Sequence, residues 1–113
     1  MNAKDKIRLL DMLDAANDAQ SFVAGRDQTA LYSDKMFAYA LVRAIEIIGE
    51  AAAQVTQLTR KQLPQIPWKV IIGMRNNVIH DYGSIDLEVV WETAIVYIPQ
   101  LILQLETILH EEK

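Results

Sequence analysis

No cysteine occurs in the sequence, which excludes disulfides, zinc–thiolate sites and thiol nucleophiles together and fits a reducing compartment. A cytoplasmic location is the expectation. Glycine is scarce, at 4 residues, and nowhere gathers into a phosphate-cradling loop. An excess of positive charge is also missing: 11 lysines and arginines face 15 carboxylates, for a formal net charge of −4. Broad electrostatic binding to nucleic acid, which relies on basic side chains displacing counterions, is therefore disfavoured, and any nucleic-acid contact must be local. Long apolar runs are absent too. Arg43, Glu46 and Glu50 break one candidate, and Pro99, Gln100 and Gln104 break another, whereas a spanning helix needs about 20 mainly apolar residues. No membrane partner is expected. The start of the chain, Met-Asn-Ala-Lys-Asp-Lys-Ile-Arg, turns amphipathic at once without the apolar core of an export signal.

What remains is the balance of a folded domain, 51% apolar and 23% charged over 113 residues, which suits one domain over 1–113 with a single core. Helical periodicity dominates. From Ala3 to about Ala24, Ile7, Leu10, Leu13, Ala16 and Phe22 recur at three- and four-residue spacing, the pattern of an amphipathic helix that Gly25 would cap. Residues 25–32 read as a connection. Ser33 is the expected N-cap of a second helix reaching about Gln57, with apolar residues around most of its circumference. Leu58 to Ile66 reads as a loop with room for a helical turn. Pro67 suits the first turn of a third helix, expected to run to Gly83. Asp86 should cap a last helix, which Pro99 should kink by removing a backbone donor and crowding the preceding turn. The expected class is all-α, an antiparallel bundle of about four main helices. One protomer cannot easily bury both the second and the last helix, so a symmetric dimer is expected.

The densest chemistry lies in Met74-Arg75-Asn76-Asn77-Val78-Ile79-His80-Asp81-Tyr82-Gly83. On a continuous helix Asn76 and His80 share a ridge at i and i+4, so the amide can orient the imidazole. Arg75 and His80 would stand about 140° apart around the axis, so either the arginine wraps round or a second protomer supplies another Arg75 across a shared cleft. RNA cleavage by attack of the ribose 2′-hydroxyl on the adjacent phosphorus needs a base, an acid and a cation, and no metal. His80 titrates near neutrality, and a helix C-terminus favours its protonated form. Arg75 stays charged and offers a fork of donors to phosphate oxygens.

With those residues in view, Arg-Asn-x-x-x-His over Arg75 to His80 resembles the R-x4-6-H signature of the HEPN ribonuclease superfamily. The extension through Asp81 to Tyr82 resembles the R-x4-H-x-Y form of HepT-like toxins of HEPN/MNT (minimal nucleotidyltransferase) toxin–antitoxin systems, type II or type VII. Arg43-Ala-Ile-Glu-Ile-Ile-Gly-Glu-Ala-Ala and Pro67-Trp68-Lys69 carry the likeness across nearly the whole chain. The resemblance implies a HEPN-like helical homodimer with a composite cleft and metal-independent endoribonuclease activity on an RNA substrate. It further implies neutralisation by a cognate nucleotidyltransferase antitoxin that adenylylates the motif tyrosine. Carried onto this chain, the catalytic roles fall on Arg75 and His80 and the modification on Tyr82, with Asn76 and Asp81 in support. No cofactor is implied.

Blander readings stand beside these. Arg75 could pair with Asp81 or Glu50 at the surface, where ion pairs contribute little. Lys35, Tyr39, Arg43, Glu46, Glu50 and Gln54 form a polar stripe that reads as a solvated face, with Arg43 and Glu46 an i,i+3 pair. Alternatively, Arg43, Glu46 and Glu50 line the cleft. Trp68 and Trp91 read as packing anchors rather than stacking platforms. No spacing resembles a metal site, Asp81 beside His80 being insufficient. The competing function is a non-catalytic helical module that binds a nucleotide or the nucleotidyltransferase, since fold alone cannot separate the two.

Overall fold

Capping chemistry divides the chain into its elements. In a computed structural model, which describes residues 1–81 and 84–112 and the side chains of all of these except 75–81 and 84, helix α1 spans Ala3–Val23. Asn2 caps it, its side-chain oxygen accepting from the Asp5 amide at 2.7 Å. Gly25 follows its end at φ +74°, the left-handed conformation in which a residue without Cβ carries no steric penalty. The expected connection over 25–32 contains a turn of helix, α2 (Ala30–Ser33). Ser33 ends that turn and does not cap the next helix. Asp34 does, accepting from the Phe37 amide at 3.2 Å, because the carboxylate adds charge to the cap at the positive end of α3.

Helix α3 covers Lys35–Gln54 and α4 covers Gln57–Gln62. Arg60 ties them together, donating to the carbonyls of Val55 at 3.0 Å and Ala53 at 2.9 Å, which satisfies acceptors at the α3 C-terminus. Helix α5 is Trp68–Val78, β1 is Ile79–Asp81, β2 is Ser84–Ile85 and α6 is Leu87–Glu92. Asp86 caps α6, accepting from the Val89 amide at 3.2 Å. Where a kink is expected at Pro99, the chain instead passes through a π-helical turn over Thr93–Tyr97, ahead of the proline, in which Ile98 N–H reaches back to the Thr93 carbonyl. Helix α7, Ile98–Glu111, then carries the proline in its first turn, where the missing N–H matters least.

The fold is all-α, with α3 packed between α1 and α5 and α1 packed in turn on α7. Leu9, Met12, Leu41, Ile45, Ile48, Ile71, Val90, Ile98 and Leu105 are fully enclosed. The buried face of α1 corrects the sequence reading. Leu9, Met12, Ala15, Ala16 and Ala19 are inside, whereas Ile7 is 54% and Leu10 41% exposed. Small residues on α1 meet Ala44, Ala51 and Ala52 on α3 in one core, and close backbone approach favours that alanine face over the bulkier ridge. Among the described residues, no helix is long and apolar enough to cross a membrane.

A second correction falls on the segment of greatest interest. The third helix does not run to Gly83; it stops at Val78, and Ile79–Asp81 pairs antiparallel with Ser84–Ile85. Asn76 and Asn77 are weak helix formers, and the β-branched Val78 and Ile79 favour extension. Ile79 stands opposite Ile85 in the register of the ladder.

Candidate functional site

The site begins with what holds α5 in place. Trp68, at its start, donates its indole N–H to the Leu63 carbonyl at 3.0 Å, and Ile71 N–H bonds the Pro67 carbonyl at 3.0 Å. Both tryptophans pack against the core, as anchors should. One turn on, Ile71 and Met74 are buried. The partner surface is α3, where Gly49 is buried and a Cβ built on it would stand 3.3 Å from the Ile71 carbonyl oxygen and 3.6 Å from that of Ile72.

Arg75 and Asn76 lie on the next turn of α5, while His80 and Asp81 lie on β1. Their side chains, and Tyr82 and Gly83 altogether, lie outside the described residues. The placement of His80 on a strand removes two expectations. Asn76 and His80 do not share a helical ridge, and the 140° angular argument for Arg75 and His80 has no continuous helix to act on. The ladder register shifts between the pairs Ile79 with Ile85 and Asp81 with Ser84. Two steps on β1 answer one on β2, so His80 is the extra residue. Bulges of this kind bend a strand and re-aim a side chain, and they are enriched beside active sites.

Arg43, Glu46 and Glu50 fall on the outer side of α3. Arg43 does not pair with Glu46; its guanidinium meets the Glu50 carboxylate at 3.3 Å, with both side chains about half exposed at 59% and 45%. Seven residues bring two helical positions to within about 20° of one azimuth, whereas three leave them about 60° apart. Arg43 and Glu50 line a groove of about 670 Å3 between α1 and α3, together with Arg8, Asp11, Asp14, Asp18 and Gln54. Four carboxylates against two guanidiniums make this groove repel a phosphate backbone. The stripe is otherwise a solvated face, with Lys35, Tyr39 and Gln54 exposed.

Among the described residues, the most enclosed carboxylate is elsewhere. Asp5 is 1% exposed and accepts from the Thr56 amide at 3.1 Å, the Thr56 hydroxyl at 2.6 Å and the Thr59 hydroxyl. Burial raises its carboxyl, the bonds from Thr56 and Thr59 lower it, and the balance lies below the usual carboxylate value. It clamps α1 to the α3–α4 junction and is structural. Among the described residues, no three histidine, aspartate or glutamate side chains gather as metal ligands would.

An all-α bundle with Arg75 and Asn76 on the last turns of a core-anchored helix, and His80 just beyond it, defines a class of small helical proteins built around an Arg-x4-His segment. The chain belongs to the ribonuclease HepT-like family, whose profile matches residues 12–108. It is 36% identical over 109 residues to "Putative RNase MJ1380" of Methanocaldococcus jannaschii, covering 96% of this chain and 100% of that one. It is 40% identical over 68 residues to "Probable ribonuclease HepT" of Thermococcus cleftensis, covering 60% and 62%. No solved structure matches the chain.

Proposed function

We propose that the chain is the toxin of a toxin–antitoxin pair, a metal-independent endoribonuclease whose chemistry rests on Arg75 and His80. The observation that carries this reading is the Arg75-Asn76-x-x-x-His80-x-Tyr82 segment within a chain of the ribonuclease HepT-like family. In the proposed reaction a ribose 2′-oxygen forms a bond to the adjacent phosphorus and the bond to the 5′-oxygen breaks. Neutral His80 takes the 2′-hydroxyl proton and, so protonated, gives a proton to the leaving 5′-oxygen, while Arg75 stabilises charge on the phosphate oxygens.

Support for the dimer comes from apolar side chains left outside: Met36 is 83%, Leu103 67% and Tyr39 60% exposed. Control of activity is assigned to a minimal nucleotidyltransferase that adenylylates Tyr82, placing a phosphodiester where the RNA phosphate would bind. The test is RNA cleavage by purified protein in EDTA, beside Arg75→Ala and His80→Ala. Wild type should cleave in chelator, and each variant should lose about 10²–10⁴ in rate while keeping its helical spectrum. A folded His80→Ala that cleaves like wild type sinks the reading and leaves a non-catalytic module as the better one. Co-expression with a genomic nucleotidyltransferase neighbour should add adenylyl mass at Tyr82. Equal neutralisation of Tyr82→Phe would instead favour a steric antitoxin.

A further inference from the structure

Glycine in the middle of a helix is costly, because it gives up more backbone freedom than any other residue. Gly49 sits inside α3 among Ile48, Ala51 and Ala52, all buried, so its presence calls for a cause. The cause is close approach. With a Cβ at 3.3 Å from the Ile71 carbonyl oxygen and 3.6 Å from that of Ile72, the obstacle is backbone, which cannot rotate aside as a side chain does. In an α-helix the carbonyl of residue i accepts from the amide of i+4. The two carbonyls against which Gly49 lies are therefore those that hold the amides of Arg75 and Asn76. Gly73 provides the contrast: it belongs to the same α5, and a Cβ there meets nothing within 4 Å.

We propose that Gly49 is a positioning residue for the Arg75–Asn76 turn, its missing side chain letting α3 seat the Ile71 and Ile72 carbonyls at the separation that sets where Arg75 stands. The proposal rests on the ribonuclease reading above and adds a residue outside the motif. A methyl group at position 49 displaces α5 by a few tenths of an ångström. Misplacement of a charge-stabilising group by about 1 Å can cost about 10²-fold in rate, and a group acting on developing charge affects kcat more than KM.

The experiment compares Gly49→Ala, Gly49→Val, Gly73→Ala and His80→Ala in steady-state RNA cleavage, at a temperature where each is fully folded by circular dichroism. Gly49→Ala should lower kcat about tenfold with KM changed less than about twofold, and Gly49→Val should lower kcat further, toward about 10²-fold. Gly73→Ala should cleave like wild type and melt a few degrees higher, since alanine is the better helix former. Wild-type kcat in a folded Gly49→Ala overturns the proposal, as does a loss that Gly73→Ala shares or that disappears once the assay is cooled below partial unfolding. If His80→Ala is inactive and Gly49→Ala is not, only the positioning role fails; if His80→Ala is active, the ribonuclease reading fails first. Should Gly49→Ala not fold, amide exchange in the wild-type chain decides. The Arg75 and Asn76 amides should form a local maximum of protection, slower than Gly73 before them and Val78 after them. A monotonic rise in exchange toward the helix end overturns the proposal.

Discussion

Asp5 shows how much of the bundle can hang on one side chain. A carboxylate this enclosed would be destabilising if unpaired, and here it takes an amide from the α4 N-cap Thr56 and hydroxyls from Thr56 and Thr59. Asp5→Ala should cost about 2–3 kcal/mol, measured by urea denaturation, because it leaves those donors without their acceptor. Since the folded pKa lies below the unfolded one, the contribution is fully present above the ordinary carboxylate value of about 4 and is lost as pH falls through the depressed folded value. The stability gap between wild type and Asp5→Asn should therefore narrow on acidification below pH ~4 and stay constant above it. A gap that widened in acid would contradict the hydrogen-bonded carboxylate. Arg43 and Glu50 are the opposite case, half exposed, and Arg43→Ala should change stability by less than about 1 kcal/mol. The Asp5 clamp was hidden in the sequence because its partners are 51 and 54 residues away. Arg75, His80 and Tyr82 are singled out by a local spacing, which is the kind of signal a sequence carries. Gly49 left a signal, a glycine in a helix otherwise rich in alanine and isoleucine, but its cause is a neighbour on another helix.

At the scale of elements, boundaries set by a cap or a glycine were readable to within about a residue, Asp34 taking the cap expected of Ser33, and those set by a partner on another element were not. Gly25 and Asp86 act within one turn of their own position, so local chemistry is enough to mark them. The end of α5 differs. Asn76–Ile79 weaken the helix without fixing where it ends, and the stop at Val78 is set when Ile85 stands opposite Ile79. His80 is thereby placed on a two-stranded ladder at a register shift and not on a helical face. Backbone chemical shifts check this directly: Cα shifts of Ile79–Asp81 should fall on the extended side of random coil, and helical shifts through His80 would restore the continuous helix. Downstream of the ladder, Asp86→Ala should cost about 1 kcal/mol by loss of the α6 cap.

At the scale of the molecule, the smallest principal extent is 19 Å, roughly two helix diameters, so the bundle has little depth in which to cover every apolar ridge. Ile7 on α1 stays exposed, as do Leu10 on α1 and Leu103 on α7, the last two beside Leu13 and Leu109 in one groove. Met36 and Tyr39 on α3 are exposed as well. A second copy is the simplest way to cover surface of this kind, since closed two-fold symmetry pairs a patch with itself. Sedimentation should give twice the 12.8 kDa protomer mass. The sharper question is whether the two copies share a site. If Arg75 of one protomer works with His80 of the other, mixing Arg75→Ala with His80→Ala subunits restores one intact site in each mixed dimer. With random exchange, half the dimers are mixed, so about a quarter of wild-type activity should return. If each protomer uses its own pair, every site in the mixture lacks one partner and activity stays at the level of the single variants. A strictly monomeric protein with full cleavage would sink the shared site altogether, and the exposed apolar ridges would then need a different partner.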